Sequence, residues 1–155
     1  MKYFMLLAVL FVPACASAAG PSEVVVYKAA YLQSLGKQLS PKVNEAKVAV
    51  ENLDNFGNQL TMVAHREGNG EVEIHEHYAD VFVVVSGHAT LLAGGKAEEA
   101  KATGPGEFRG GTILGGQRHT LGPGDIVHIP ARVPHQVLLA PNQSFTYFVL
   151  KVKTD

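Results

Sequence analysis

Three histidines and one carboxylate stand at spacings that could hold a metal ion. The first group lies in Gly70-Glu-Val-Glu-Ile-His75-Glu-His77-Tyr-Ala-Asp80, ahead of the run Val81 to Val85 and the turn Ser86-Gly87. Side chains two apart on an extended segment point to the same face, so His75 and His77 can aim at one point. Asp80 adds a carboxylate three residues later. The second group, Gly122-Pro-Gly124-Asp-Ile-Val-His128-Ile-Pro130-Ala-Arg-Val-Pro134-His135, uses two prolines to stiffen the loop that delivers His135. Neutral imidazoles that converge with a carboxylate are what divalent transition metals bind. One such ion, Fe, Mn, Ni, Cu or Zn, is expected at His75, His77, Asp80 and His135. The competing reading is a set of buried, hydrogen-bonded histidines.

Other groups have less specific roles. Asp80 can bind the ion directly or orient a histidine. Glu73 shares the strand face of His75 and His77, and serves either as a base lining the interior or as a solvated carboxylate. His128 is an outer partner of the site or an ordinary strand residue. Tyr78, His119, Gln136 and Tyr147 are lining candidates, while His65 and His88 are expected on the surface or in turns.

The elements that must position these residues read as strands. Val81 to Val85 is β-branched apart from Phe82, as in a buried strand. Residues 46–52 alternate, 53–58 turn around Gly57, and Gln59 to Arg66 forms a second strand. Gly68-Asn-Gly70 is expected to be a hairpin turn, and Ala89 to Ala93 to pair back after Ser86-Gly87. Residues 96–122, broken by glycines, read as a loop with short strands at Thr112 to Leu114 and Arg118 to Leu121. Phe145 to Val152 closes the set, with Phe145, Tyr147 and Val149 on one face. The tail from Lys151 is polar and is assigned no role. Upstream, Val25, Ala29, Leu32, Leu35 and Leu39 recur at largely helical spacing until Ser40-Pro41, so residues 23–39 should form one helix covering the barrel. The alternation predicts an all-β barrel of two facing sheets over about residues 46–151.

Together the two histidine blocks resemble the paired motifs of the cupin superfamily, small jelly-roll β-barrels. The first family motif is Gly, then H-x-H, three or four residues, Glu, six residues, Gly. The second is Gly, five residues, P-x-G, two residues, His, three residues, Asn. His75 and His77 align with the H-x-H, Asp80 with the Glu, Gly87 with the closing Gly, and Gly124, Pro130 and His135 with the second motif. Asp80 replaces Glu and arrives one residue early, Arg132 replaces the second motif's second glycine, and Leu139 replaces its asparagine. The resemblance spans roughly residues 48–151 and implies a jelly-roll, cupin-type barrel with a metal site. It further implies a metal-dependent enzyme of dioxygenase, isomerase or lyase type, which activates a small oxygen-bearing substrate through the ion. The alternative is a non-catalytic periplasmic barrel that binds a small sugar or organic acid, because this fold hosts many functions.

Composition narrows the setting. The 155 residues, 46% apolar, are enough for one domain with one core. A formal net charge of −1 gives no electrostatic case for nucleic acid. Sixteen glycines, eight prolines and no tryptophan suit a turn-rich β protein. Residues 1–18 read as a secretory signal peptide, with Lys2, the apolar stretch Phe4 to Val12, and Ala16-Ser17-Ala18 before the cleavage point. That apolar stretch is about half of the ~20 residues that span a bilayer. A periplasmic or secreted location is therefore expected, with lipidation at Cys15 as the alternative. Cys15 is the only cysteine, so the mature chain forms no disulfide of its own. The organisation expected is a leader over 1–18, a helical segment over 19–45 and the barrel over 46–155. A homodimer is expected through the edge strand 46–52.

Overall fold

The structure, a computed structural model, describes residues 24–154. Helix α1 (Ala29–Leu39) and a short 3-10 turn (Ser40–Lys42) precede thirteen strands. These are β1 (Val48–Asn55), β2 (Gln59–Arg66), β3 (Glu73–His75), β4 (Tyr78–Gly87), β5 (Ala89–Ala93), β6 (Lys96–Glu98), β7 (Lys101–Gly104), β8 (Glu107–Arg109), β9 (Thr112–Leu114), β10 (Gln117–Leu121), β11 (Ile126–Ile129), β12 (His135–Leu138) and β13 (Phe145–Lys153). The first sheet has the order β1-β2-β13-β4-β11, the second β10-β5-β12-β3-β8-β7, and β6 pairs with β9 alone. Every pairing is antiparallel. The chain is thus mostly β, a jelly-roll-like sandwich with one short helix. Among the described residues no helix is long and apolar enough to cross a membrane. The proposed leader lies outside the described residues.

Period-2 alternation decides which side chains meet inside. On β2, Leu60, Met62, Ala64 and Arg66 face the interior, whereas buried Val63 packs outward with Leu35 and Leu39 of α1 and with Ala49. Burying a side chain such as Val63 is worth about 1.5–3 kcal/mol, which explains why the helix covers this face. The central core joins Phe82, Val84, Leu91, Leu121, Ile129, Val137, Phe145 and Tyr147. Phe82 and Phe145 lie 4.8 and 5.0 Å from Tyr147, centroid to centroid.

Several connections differ from the sequence expectation. The helix begins at Ala29, not near residue 23, and β1 runs on to Asn55. Gly68-Asn-Gly70 joins no hairpin: β2 lies in the first sheet and β3 in the second. Likewise β5 pairs with β10 and β12, not with β4. In both places a short glycine connection carries the chain across the sandwich, and the sequence signal for such a crossing is the same as for a hairpin. Residues 96–122 hold five strands, not two. The closing strand reaches Lys153, and Lys151, assigned no role from sequence, lies within it opposite Asp80.

Candidate metal centre

The histidine segment is not one strand. The chain leaves the second sheet at His75 and enters the first at Tyr78, so alternation does not carry across residues 76 and 77. Glu73 and His75, two apart on β3, keep the shared face. His77 falls beyond the strand end, is exposed, and lies against Gly106 instead of the interior. Asp80, from β4 in the opposite sheet, faces back toward His75. His135 begins β12 directly opposite Glu73, so the two side chains are cross-strand neighbours. The structure therefore gathers Glu73, His75, Asp80 and His135, and leaves His77 outside.

Each of the four is anchored by its far atom. His75 Nδ1 donates to Glu107 Oε2 at 2.6 Å, and His135 Nδ1 donates to the Val133 carbonyl at 3.0 Å. Glu73 Oε1 accepts from Arg109 at 2.5 Å and from Arg66 at 3.4 Å. Asp80 Oδ1 accepts from Lys151 Nζ at 2.8 Å. The near atoms are left facing one another. His75 Nε2 lies 3.5 Å from Glu73 Oε2 and 3.4 Å from Asp80 Oδ2, and His135 Nε2 lies 3.8 Å from Asp80 Oδ2. These approaches are not aligned as hydrogen bonds, and both Nε2 atoms are buried without a partner. With each imidazole neutral and its proton on Nδ1, the centre is made of acceptors only. Buried acceptors without a donor are costly, and a cation among them removes that cost. Among the described residues, Glu73, His75 and His135 offer ligand atoms that all lie within 4.8 Å of one another, and Asp80 approaches the two imidazoles from the opposite sheet. Two imidazoles and two carboxylate oxygens suit first-row divalent ions, so the donor set fits a metal.

The electrostatics follow from burial and neighbours. Burial would raise the Glu73 carboxyl pKa, but His75, Arg109 and Arg66 outweigh it and hold that pKa far below the ordinary range. Burial lowers the His135 pKa. At His75 burial also pulls down, yet Glu73, Asp80 and Glu107 keep the pKa above its usual value. Buried Tyr147, whose hydroxyl accepts from Arg66 Nε at 3.0 Å, is pushed up by desolvation.

The centre opens into a cavity of about 500 Å³ that Tyr78, Tyr147 and Lys151 also line. Arg132, where the second motif has a glycine, adopts φ 67° and donates its N–H to the His75 carbonyl at 2.8 Å. The loop thus keeps a glycine-like conformation with arginine in place. Gln136 is structural, donating to the Gly70 carbonyl at 2.8 Å. His119 and His128 are exposed and line a separate cleft. His88 is exposed as expected, but His65 is buried between Thr146 and Glu67, because its position on β2 faces the helix. Glu107, Arg109, Arg66 and Lys151 were not singled out by sequence. For the first two the usable signal was the Gly104-Pro-Gly106 turn followed by alternating Glu-Phe-Arg. Gly106, at φ +71°, is required there, since a Cβ would come 2.5 Å from the His77 ring.

No family model and no curated protein matches the sequence. Solved structures do match. A conserved protein with a double-stranded β-helix domain from Klebsiella pneumoniae aligns at TM-score 0.56 and 15% identity, over 86% of this chain and 93% of that one. A cupin-like protein from Thermotoga maritima aligns at TM-score 0.50 and 18% identity, over 69% of each chain. The fold is that of the cupins. An oxalate oxidase in complex with glycolate aligns at TM-score 0.51 and 13% identity, over 72% of this chain and 54% of that one. This chain thus spans about half the length of the oxalate oxidase and 48% of a dimethylsulfoniopropionate (DMSP) lyase from Ruegeria pomeroyi.

Glu73-x-His75, four residues, Asp80, six residues and Gly87 meet the first motif's spacing without the missing residue. Glu73 thus stands where the motif's first histidine is expected, and His75 where its second is.

Proposed function

We propose that this cupin-fold protein binds one divalent transition metal ion through Glu73, His75, Asp80 and His135. We further propose that it acts on a small oxygen-bearing substrate at that ion, as an enzyme of dioxygenase, isomerase or lyase type. The observation that carries the reading is the shared geometry of the four donors: each far atom is fixed, and each near atom is turned into an acceptor-only centre. When bound, the ion supplies Lewis acidity toward an oxygen of the substrate. Glu107 and the Val133 carbonyl hold the imidazole tautomers with Nε2 free. Arg109 and Lys151 hold one oxygen of each carboxylate, which leaves one oxygen apiece for the ion. Phe82, packed beside His135 at 6.3 Å between ring centroids, closes the inner side against water.

A second reading, a non-catalytic barrel that captures a small sugar or organic acid, is favoured by one feature. Glu73, Asp80 and Glu107 are each already engaged by a cation or a histidine, which leaves no spare general base among them. The chain is proposed to work outside the cytoplasm, following its leader, and to pair through β1, an edge of the first sheet.

The test is calorimetry on refolded wild-type protein with Fe(II), Mn(II), Ni(II), Cu(II) and Zn(II) in turn, followed by activity screening with the ion retained. Uptake of one ion per chain is expected, and uptake of none would remove the metal reading.

A further inference from the structure

Six charged side chains line the cavity: Glu73, Asp80 and Glu107 against Arg66, Arg109 and Lys151. They balance. A divalent ion held by neutral imidazoles therefore leaves the cavity with two positive charges in excess, and uncompensated charge in a partly enclosed site is costly. The cations also have hydrogen-bonding capacity in reserve. Arg109 offers five N–H donors and Lys151 three, and their shown bonds to Glu73 and Asp80 use one each. Arg109 is 41% exposed at its side chain, open to an incoming group.

The first sheet, which carries Arg66, Asp80 and Lys151, also has an apolar part. Val48, Val50, Leu60, Met62 and Val149, from β1, β2 and β13, present an apolar surface to the same space. Val50 remains 47% exposed. A sugar laid there would leave hydroxyls against hydrocarbon without partners.

We infer that the ligand of this cavity is a small organic acid with an apolar body, its carboxylate at the ion beside Arg109 and Lys151, and its body on the wall of Val50, Leu60 and Met62. This rests on the metal reading above and narrows it to one substrate class. It also decides between the two occupants, acid over sugar.

The test uses the full chain loaded with the metal it binds most tightly, titrated in a calorimeter with hexanoate, hexanamide and glucose. Hexanoate should bind at least about tenfold more tightly than either neutral probe, a difference of about 1.4 kcal/mol. Val50→Asp, at an exposed edge position, should weaken hexanoate about tenfold with metal per chain unchanged in elemental analysis. Met62→Gln supplies the same reading should Val50→Asp fold poorly. Equal binding of hexanamide or glucose overturns the inference, as does hexanoate binding untouched by both substitutions. Protein that takes up metal yet shows no preference for hexanoate overturns this inference alone, whereas protein that takes up no metal overturns the metal reading with it.

Discussion

Two clefts of nearly equal size open between the same two sheets, about 500 Å³ at one side and about 490 Å³ at the other. The first, against β1, β2, β3 and β8, holds the anchored carboxylates and His75. The second, between β10 and β11, is lined by Leu91, Leu121, Val127, Ile129 and Val133, with exposed His119 and His128 at its polar margin. The core around Phe82, Phe145 and Tyr147 fills the space between the sheets. Volume therefore does not distinguish them. What distinguishes them is whether polar atoms are buried and fixed. In the first cleft burial makes each carboxylate and imidazole need a partner, and the partners orient the remaining atoms. In the second, solvent can satisfy the histidines, and nothing need aim them.

The contrast can be broken by moving one residue at a time. The largest effect is expected from His75→Ala, which removes a buried donor. Bound metal should fall by more than the ~10–100-fold that outer partners cost, whereas His128→Ala in the other cleft should leave elemental analysis unchanged. Glu107→Gln tests the anchoring itself. It keeps the shape but loses the charged acceptor of His75 Nδ1–H, so metal affinity in calorimetry should drop by about 10–100-fold. Asp125→Asn in the second cleft should not alter it.

Acid should separate the clefts next. The Glu73 pKa in the folded chain lies below its ordinary 4.5, so its ionised form stabilises the fold above that value. That contribution is lost as pH falls from 4.5 toward the folded value. Metal-free wild-type protein should accordingly lose melting temperature more steeply below about pH 4.5 than Glu73→Gln. Parallel curves would show that the Arg66 and Arg109 contacts do not couple to folding. The smallest effect is expected at Arg132. A left-handed arginine carries strain of about 1–2 kcal/mol, and glycine gives part of the relief back through the freedom of the unfolded chain. Arg132→Gly should therefore gain no more than about 1 kcal/mol in denaturant melts, with metal uptake retained.

Much of the architecture was legible because it rests on local signals. Gln59 to Arg66 matches β2 to the residue, and the closing strand starts at Phe145 as expected, since alternation and turn residues act within a few positions. His75, Asp80 and His135 stood out by residue type and spacing, and Glu73 by its shared face with His75. His77 satisfied the same spacing and was placed elsewhere. Only the switch of sheets between residues 75 and 78 separates the two histidines, and alternation says nothing of which sheet a strand will join.

By itself the sequence determined that this chain is a β-barrel with two histidine-bearing segments, because side-chain period, turn chemistry and apolar content are properties of short stretches. The tertiary structure alone decided that Glu73, and not His77, lies with His75, Asp80 and His135, and what holds these side chains still. Glu107 and Arg109 reach the centre through the pairing of β8 with β3, and Lys151 through that of β13 with β4. These contacts join residues 32, 36 and 71 apart. Such distances carry no local pattern, and only the register of packed strands brings the charges together.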